Sequence, residues 1–330
     1  MVHRVAVIPG DGIGQEVIPA AVQVLQATGV PFEFAPAEAG WGTFQRLGKG
    51  LPEETLALVQ KLGVALFGAV SSPARKVEGY QSPIIAMRRQ LDLFANLRPS
   101  LSMPVAGSRP GIDLLIVREN TEGMYAQRER SNGNTAIAER VITRKASARI
   151  GRLACEQATR RRRHLTIVHK TNVLPETCGL FCDTVHAEAR AFRDLKVDEL
   201  LVDTMAMRLV TTPQEFDVIV TTNLFGDILS DEAAALVGGM GLAPAANIGP
   251  DAAVFEPVHG SAPDIAGKGI ANPTAAVLAA AMLLEHIGES AAGNRVRQAA
   301  HRALIDGIRT PDIGGTASTA AVTEAIIARL

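Results

Sequence analysis

Asp227 and Asp231 stand four residues apart in Asn223-Leu224-Phe225-Gly226-Asp227-Ile228-Leu229-Ser230-Asp231, directly after the apolar run Val218-Ile219-Val220. A helix starting near Leu224 puts both carboxylates on one face of its first turns. At a separation of about 5–6 Å they repel by roughly 3 kcal/mol at an effective dielectric of about 20. A proton, a basic side chain or a divalent cation would offset that repulsion, and an all-oxygen site suits Mg²⁺ or Mn²⁺. Two acids here would also complement the positive end of the helix. The spacing by itself leaves both explanations open.

Arg88, Arg98 and Arg118 form a candidate anion site, because planar guanidinium forks match carboxylates and phosphates. Each taken alone is better explained by a surface salt bridge than by a ligand contact. Arg98 precedes Pro99, which predicts that it lies at the end of an element. Pro9-Gly10-Asp11-Gly12-Ile13-Gly14 joins a predicted strand to a predicted helix. It lacks the full GxGxxG order and the Gly-Lys-Ser/Thr of a P-loop, so a tight turn explains its glycines as well as a nucleotide does.

The elements that must position these groups alternate, apolar run with helical pattern, as in an α/β fold. Strands are predicted at Val5–Ile8, Val64–Phe67, Leu114–Val117, Leu165–Val168, Leu200–Val202 and Val218–Val220. A helix follows the first, with Ile18, Ala21, Val22 and Leu25 on one face. Four of the runs lead into Arg118, Lys170, Asp203 and Asn223–Asp227. Ligands of parallel α/β sheets bind beyond the carboxyl ends of the strands, so this repetition implies one polar cleft. Residues 129–139, polar and centred on Ser131-Asn132-Gly133-Asn134, are expected to form a protruding hairpin.

The chain has 330 residues, enough for two domains or one large one, and its apolar share of 47% is ample for a core. A formal net charge of -1 gives no general attraction to nucleic acid or an anionic membrane. Arg160-Arg161-Arg162-Arg163 reads as a solvated helix end. Cys155, Cys178 and Cys182 show neither a zinc pattern nor a disulfide framework, which fits reduced thiols and a cytoplasmic location. No signal-peptide pattern is present at the N-terminus. The longest apolar stretch, Ala275 to Leu284, is too short to span a bilayer and reads as a buried or interface helix.

Five motifs together resemble the β-decarboxylating dehydrogenases of the isocitrate and 3-isopropylmalate type. They are Leu91 to Pro99, Val117-Arg118-Glu119-Asn120-Thr121-Glu122-Gly123, His169-Lys170-Thr171-Asn172-Val173, Asn223 to Asp231, and Glu256 to Gly267. The likeness runs from Ile8-Pro9-Gly10-Asp11-Gly12-Ile13-Gly14 to Arg309-Thr310-Pro311-Asp312. It implies an α/β two-domain fold that is not the Rossmann fold, with a mixed sheet flanked by helices. The large, NAD-binding domain would be residues 1–98 and 240–330. The small domain, for dimerisation and the metal site, would be 99–239, with an arm near 126–140. It further implies a homodimer, with pairing into tetramers left open, whose active sites are shared between subunits.

The resemblance also implies roles for residues. Asp227, Asp231 and, from the partner subunit, Asp203 would hold Mg²⁺ or Mn²⁺. Arg88, Arg98 and Arg118 would grip substrate carboxylates, with Ser72, Ser82 and Asn172 also at the substrate. Lys170, again from the partner, would help remove the hydroxyl proton, and Tyr125 would complete the product by donating one. Glu256, His259, Gly260, Ser261, Ala262, Asp264 and Asn272 would form the cofactor pocket. Asp264 sits where NAD-using members carry an acid for the adenosine ribose, which implies NAD.

Ser82 matches the serine of isocitrate dehydrogenases, six residues before Arg88, but Ile84 replaces their asparagine. Neither the glutamate nor the Arg-Glu-Leu-Thr-Gly-Gly motif of isopropylmalate dehydrogenases is present. Ser72-Pro73-Ala74-Arg75-Lys76-Val77-Glu78-Gly79-Tyr80 with Ser82-Pro83-Ile84 most resembles homoisocitrate dehydrogenases of the α-aminoadipate route to lysine. Some of those carry an Arg where this chain has Ile85. The expected substrate is thus a small 2-hydroxy tricarboxylate, homoisocitrate first and isocitrate second, alone or with 3-isopropylmalate in a broad-specificity enzyme, and the dicarboxylates isopropylmalate and tartrate-like malates come after them. A silent regulatory subunit is the non-enzyme alternative; such subunits tend to lose the Tyr, Lys or metal carboxylates, all of which are present here.

Overall fold

The structure, a computed structural model, describes residues 2–73, 75 and 77–330. Ala74 and Lys76, inside the segment compared with homoisocitrate dehydrogenases, lie outside the described residues. The chain forms two compact units: residues 1–91, 103–109 and 237–330 make the first, and 92–102 with 110–236 the second.

The first unit opens with β1 (His3–Gly10), α1 (Gly14–Ala27), β2 (Phe32–Pro36), α2 (Trp41–Leu47), α3 (Glu53–Leu62), β3 (Val64–Ala69) and α4 (Pro83–Gln90). The second unit holds β4 (Ala95–Leu101), β5 (Asp113–Glu119), β6 (Gly123–Ser131), β7 (Ala136–Val141), α5 (Arg144–Thr159), β8 (His164–His169), α6 (Pro175–Ala189), β9 (Lys196–Leu201), α7 (Val202–Thr211), β10 (Val218–Thr221) and α8 (Asn223–Leu236). The first unit is completed by β11 (Pro244–Ile248), β12 (Ala253–Pro257), α9 (Thr274–His286), α10 (Ser290–Ile305) and α11 (Thr319–Ile327).

The strand order in the first unit is β2-β1-β3-β12-β11. Its pairings are parallel except β11 with β12. α9 is buried from Thr274 to Leu284 on every face, so the apolar run it carries is core of this unit. The second unit has the order β4-β5-β10-β8-β9, antiparallel only between β4 and β5. β6 and β7 pair as a separate antiparallel hairpin, exposed over most of its length. Each unit is therefore an α/β layer structure with a mixed sheet, the fold class expected from the alternating pattern.

All six predicted apolar runs lie in strands, save that Val202 opens α7 instead of closing β9. β5, β10, β8 and β9 are consecutive parallel neighbours, so their carboxyl ends line one edge. Arg118 near the end of β5, Lys170 after β8, Asp203 in the first turn of α7 and Asn223 after β10 are all delivered there.

Two expectations are corrected. Arg98 is not at an element end but inside β4, where it pairs in register with Ile116 and Pro99 with Leu115. An antiparallel strand tolerates proline where its missing N–H is not needed by the ladder. The four-arginine run is not simply a solvated helix end. Arg161 Nε donates to the fully buried Asp217 at 2.7 Å and its Nη2 to Asp113 at 2.7 Å. The Arg162 backbone N–H donates to Asp217 at 2.8 Å. Burial of Asp217 beside this turn requires those partners.

Candidate active site

In the second unit, α8 brings Asp227 and Asp231 to one face, a turn apart. Arg118, from β5, donates through Nη1 to Asp227 Oδ1, and the hydroxyl of Tyr125, on β6, donates to Asp227 Oδ2. The Arg118 guanidinium also lies over the Tyr125 ring, 5.1 Å from its centroid. Arg98 Nη1 is 3.5 Å from Asp231 Oδ1. The carboxylates remain partly open, with side chains 36% and 55% exposed, while Arg118 is buried to 1%.

Each arginine is also held from behind. Arg98 Nε donates to Asn96 Oδ1 at 2.6 Å. Arg118 sends Nε and Nη2 to Asn223 Oδ1 at 3.1 and 2.8 Å. Gly226 is required between them: a Cβ there would lie 2.6 Å from Arg118 Cγ.

Burial pushes the Asp231 carboxyl above the usual carboxylate range; Arg98 opposes the shift and Asp227 reinforces it. Burial, then the bond to Asp227, raises the Tyr125 phenol, so it keeps its proton across the neutral range. The donor set is all oxygen, partly solvent-open and flanked by cationic side chains that now share its lone pairs. Asp227 and Asp231 therefore fit a hard divalent cation.

Lys170 Nζ donates to Asp203 Oδ1 at 2.6 Å, and this bond holds the Asp203 carboxyl below its usual range. Asp203 does not join Asp227 and Asp231 within one chain. Among the described residues, His169, Cys182 and Glu199 are the one His/Cys/Asp/Glu trio whose ligand atoms lie within 4.8 Å of one another. Within that trio His169 and Glu199 are paired with each other. His169 Nδ1 accepts the Thr171 N–H at 3.2 Å, so Nε2 carries the ring proton and donates to Glu199 at 3.2 Å. Burial also pushes the Cys182 thiol up to about 12, far from thiolate.

In the first unit, Arg88 on α4 donates through Nε to Asn247 Oδ1 at 2.9 Å and meets Glu256 at 3.3 Å. Asn247 Nδ2 donates to Glu256 at 2.7 Å. Glu256 thus faces Arg88 as well as belonging to the segment expected at the cofactor. Ser82 immediately precedes α4, Ser72 is exposed, and in the second unit Asn172 is exposed.

The Gly-rich turn proves to be a tight junction. A Cβ at Gly10 would lie 2.0 Å from the Ala69 carbonyl and one at Gly12 2.1 Å from that of Ser261. Asp11 accepts the N–H groups of Trp41 at 2.7 Å, Gly42 at 2.9 Å and Ser71 at 2.9 Å. Ser71 Oγ in turn donates to Ser261 Oγ at 2.8 Å. The loop after β12 therefore lies against this turn.

In that loop His259 Nε2 is buried with no partner among the described residues, while Nδ1 lies 3.0 Å from the Gly260 carbonyl. Burial lowers the His259 pKa, keeping the ring neutral. A Cβ at Gly260 would meet nothing within 4 Å, Asp264 is exposed, and Asn272 donates to Asp312 at 3.1 Å. An orphaned ring nitrogen beside open space and an exposed acid fits a nucleotide cofactor.

A family model described as isocitrate/isopropylmalate dehydrogenase matches residues 4–326. The isocitrate/homoisocitrate dehydrogenase of Thermus thermophilus is 59% identical over 100% of this chain and 99% of its own length. The 3-isopropylmalate/3-methylmalate dehydrogenase of Methanocaldococcus jannaschii is 48% identical over 99% of each. A crystal structure of isocitrate dehydrogenase from Methylococcus capsulatus superposes with a TM-score of 0.94, at 44% identity and 99% coverage of both chains.

The chain belongs to the isocitrate/isopropylmalate dehydrogenase family. Members are decarboxylating oxidoreductases that use NAD(P) and a divalent metal, act on small hydroxy acids and are typically oligomeric.

Proposed function

We propose that this protein catalyses the NAD-dependent oxidative decarboxylation of homoisocitrate to 2-oxoadipate and CO₂, within lysine synthesis through α-aminoadipate. The observation that carries the reaction is the cluster in which one carboxylate, Asp227, meets both Arg118 and the hydroxyl of Tyr125. It joins a metal-type acid, a carboxylate-binding cation and a proton donor at one point.

Arg88, Arg98 and Arg118 grip the substrate carboxylates, including the one released, and Ser72, Ser82 and Asn172 supply further polar contacts. Lys170 Nζ, on the partner subunit, takes the hydroxyl proton as hydride leaves the substrate carbon, with Asp203 bonded to it. Tyr125 gives its proton to the carbon that has lost CO₂. When bound, NAD accepts the hydride, and Mg²⁺ or Mn²⁺ held by Asp227, Asp231 and the partner subunit's Asp203 supplies Lewis-acid stabilisation. His259, Gly260, Ser261, Ala262, Asn272 and Glu256 hold the cofactor, with Asp264 at the ribose favouring NAD over a 2′-phosphorylated form.

The homodimer is supported by an apolar surface on α7 and α8. Met207 is 58% exposed, Val210 44% and Ile228 58%, an unusual grouping for helices that face only water. The buried thiols are compatible with work in the reducing cytoplasm.

Isocitrate, one methylene shorter, is the second reading, supported by Ser82 and by the double name of the Thermus relative. A single methylene is worth about 1–3 kcal/mol of discrimination, so both can be substrates of one pocket. Side-by-side kcat/KM for homoisocitrate, isocitrate and 3-isopropylmalate, with NAD and with NADP in the presence of Mn²⁺, tests the proposal. Homoisocitrate with NAD is expected to lead. Preference for 3-isopropylmalate, or no turnover of any of the three, would overturn it.

A further inference from the structure

We propose that Asn96, Asn223 and Asn247 are positioning residues that hold the three carboxylate-binding arginines by their Nε atoms without cancelling their charge. The inference rests on the reading of Arg88, Arg98 and Arg118 as substrate contacts.

The same contact recurs three times. Arg88 Nε donates to Asn247 Oδ1 at 2.9 Å, Arg98 Nε to Asn96 Oδ1 at 2.6 Å, and Arg118 Nε to Asn223 Oδ1 at 3.1 Å. All three asparagines are buried, at 0%, 0% and 1% exposure for Asn247, Asn96 and Asn223. The assignment of oxygen as the contacting atom is forced, because a guanidinium has only donors.

Local geometry does not produce this pattern. Asn96 and Arg98 are two apart on β4 and share its face. Asn223 is the first residue of α8 and its arginine comes from β5; Asn247 is on β11 and its arginine on α4. Three different backbone arrangements arrive at one pairing. In Asn223 the amide nitrogen is buried with no partner among the described residues, so the side chain is placed for its oxygen.

A buried arginine needs hydrogen bonds, and Asp, Glu or a backbone carbonyl could each provide them. Asn differs from Asp in being neutral. A carboxylate at Nε would form an ion pair and lower the attraction for a ligand carboxylate. In each of the three the protein's own acid meets a terminal nitrogen instead: Arg88 Nη2 with Glu256, Arg98 Nη1 with Asp231, Arg118 Nη1 with Asp227. The neutral oxygen fixes the plane of the fork from behind, taking Nη2 as well as Nε in Arg118, and leaves each arginine one terminal nitrogen that meets an acid.

The test is Asn96→Asp and Asn223→Asp, each beside the uncharged Asn→Ser at the same position, in the full-length protein. Steady-state KM is measured for homoisocitrate, isocitrate and NAD, together with Tm. The Asp variants should raise the tricarboxylate KM about tenfold or more, leaving the NAD KM within about twofold, and the Ser variants should show a smaller rise in the same direction. If an Asp variant does not fold, the Ser variant at that position is read by the same criterion. Folded variants with tricarboxylate KM within about twofold of wild type, or with NAD KM rising in parallel, would overturn the inference. Wild-type protein that turns over none of the tricarboxylates would instead overturn the substrate reading beneath it.

Discussion

A Cβ on Gly226 would stand 2.6 Å from Cγ of Arg118. The first turn of α8 and the arginine stem are in contact with no room for a methyl group, although Gly226 is a helical residue that alanine would otherwise suit. Gly226→Ala should therefore leave the protein folded but displace Arg118. The expected result is a rise in substrate KM of about tenfold or more with a small change in Tm, seen by kinetics and thermal melts in parallel. Unaltered KM would show that Arg118 is not at the substrate.

Asp227→Asn and Asp231→Asn should each abolish Mn²⁺-dependent turnover while sedimentation still reports the wild-type assembly. Normal activity in either variant would remove the metal assignment.

Tyr125→Phe removes a phenol that burial and Asp227 keep protonated. It should slow the overall reaction while sparing NADH-dependent reduction of a supplied oxo-acid. Loss of that partial reaction instead would refute the role of final proton donor.

Lys170 and Asp203 are bonded to each other, and the proposed shared site would have both act across subunits. Mixing inactive Lys170→Ala protein with inactive Asp227→Asn protein, followed by subunit exchange, should restore about a quarter of wild-type activity, since random hybrids regain one whole site. No recovery in verified hybrids would place Lys170 and Asp227 in the same protomer's site.

Burial holds the His259 and His286 imidazoles below the ordinary histidine pKa, so the native state prefers both neutral. The unfolded chain takes up its protons near pH 6.5, at about that value for each ring. The stabilisation is fully present above that pH and drains away as pH falls through the lower folded values. Tm should decline below about pH 6.5, and His286→Leu, which keeps an apolar neighbour for Phe255, should flatten the decline. Identical slopes in the two proteins would rule out His286 as a contributor.

The buried parallel strands were readable because strands covered on both faces are nearly continuous apolar runs, as in Leu114–Val117 and Leu165–Val168. β4, β11 and β12 escaped notice because they carry Asn96, Arg98 and Pro99, then Pro244 and Asn247, then Glu256 and Pro257, which break any such run. The acids and arginines stood out by charge and spacing. Asn223 and Asn247 did not, since asparagine ordinarily marks turns and their partners are 105 and 159 residues away. Asp11 was visible only as part of a turn, because the N–H groups it serves come from Trp41 and Ser71, 30 and 60 residues on.

The interrupted first unit has a consequence for synthesis on the ribosome. β1, β2 and β3 emerge early, yet their sheet stays open beside β3 until β12 has been made, more than half the chain later. The second unit receives nearly all its strands in one uninterrupted stretch and can close its sheet while those three wait. During that interval the bare edge of β3 is the segment most open to mispairing, so a pause or truncation between β10 and β12 should yield aggregation in place of a stable half-enzyme.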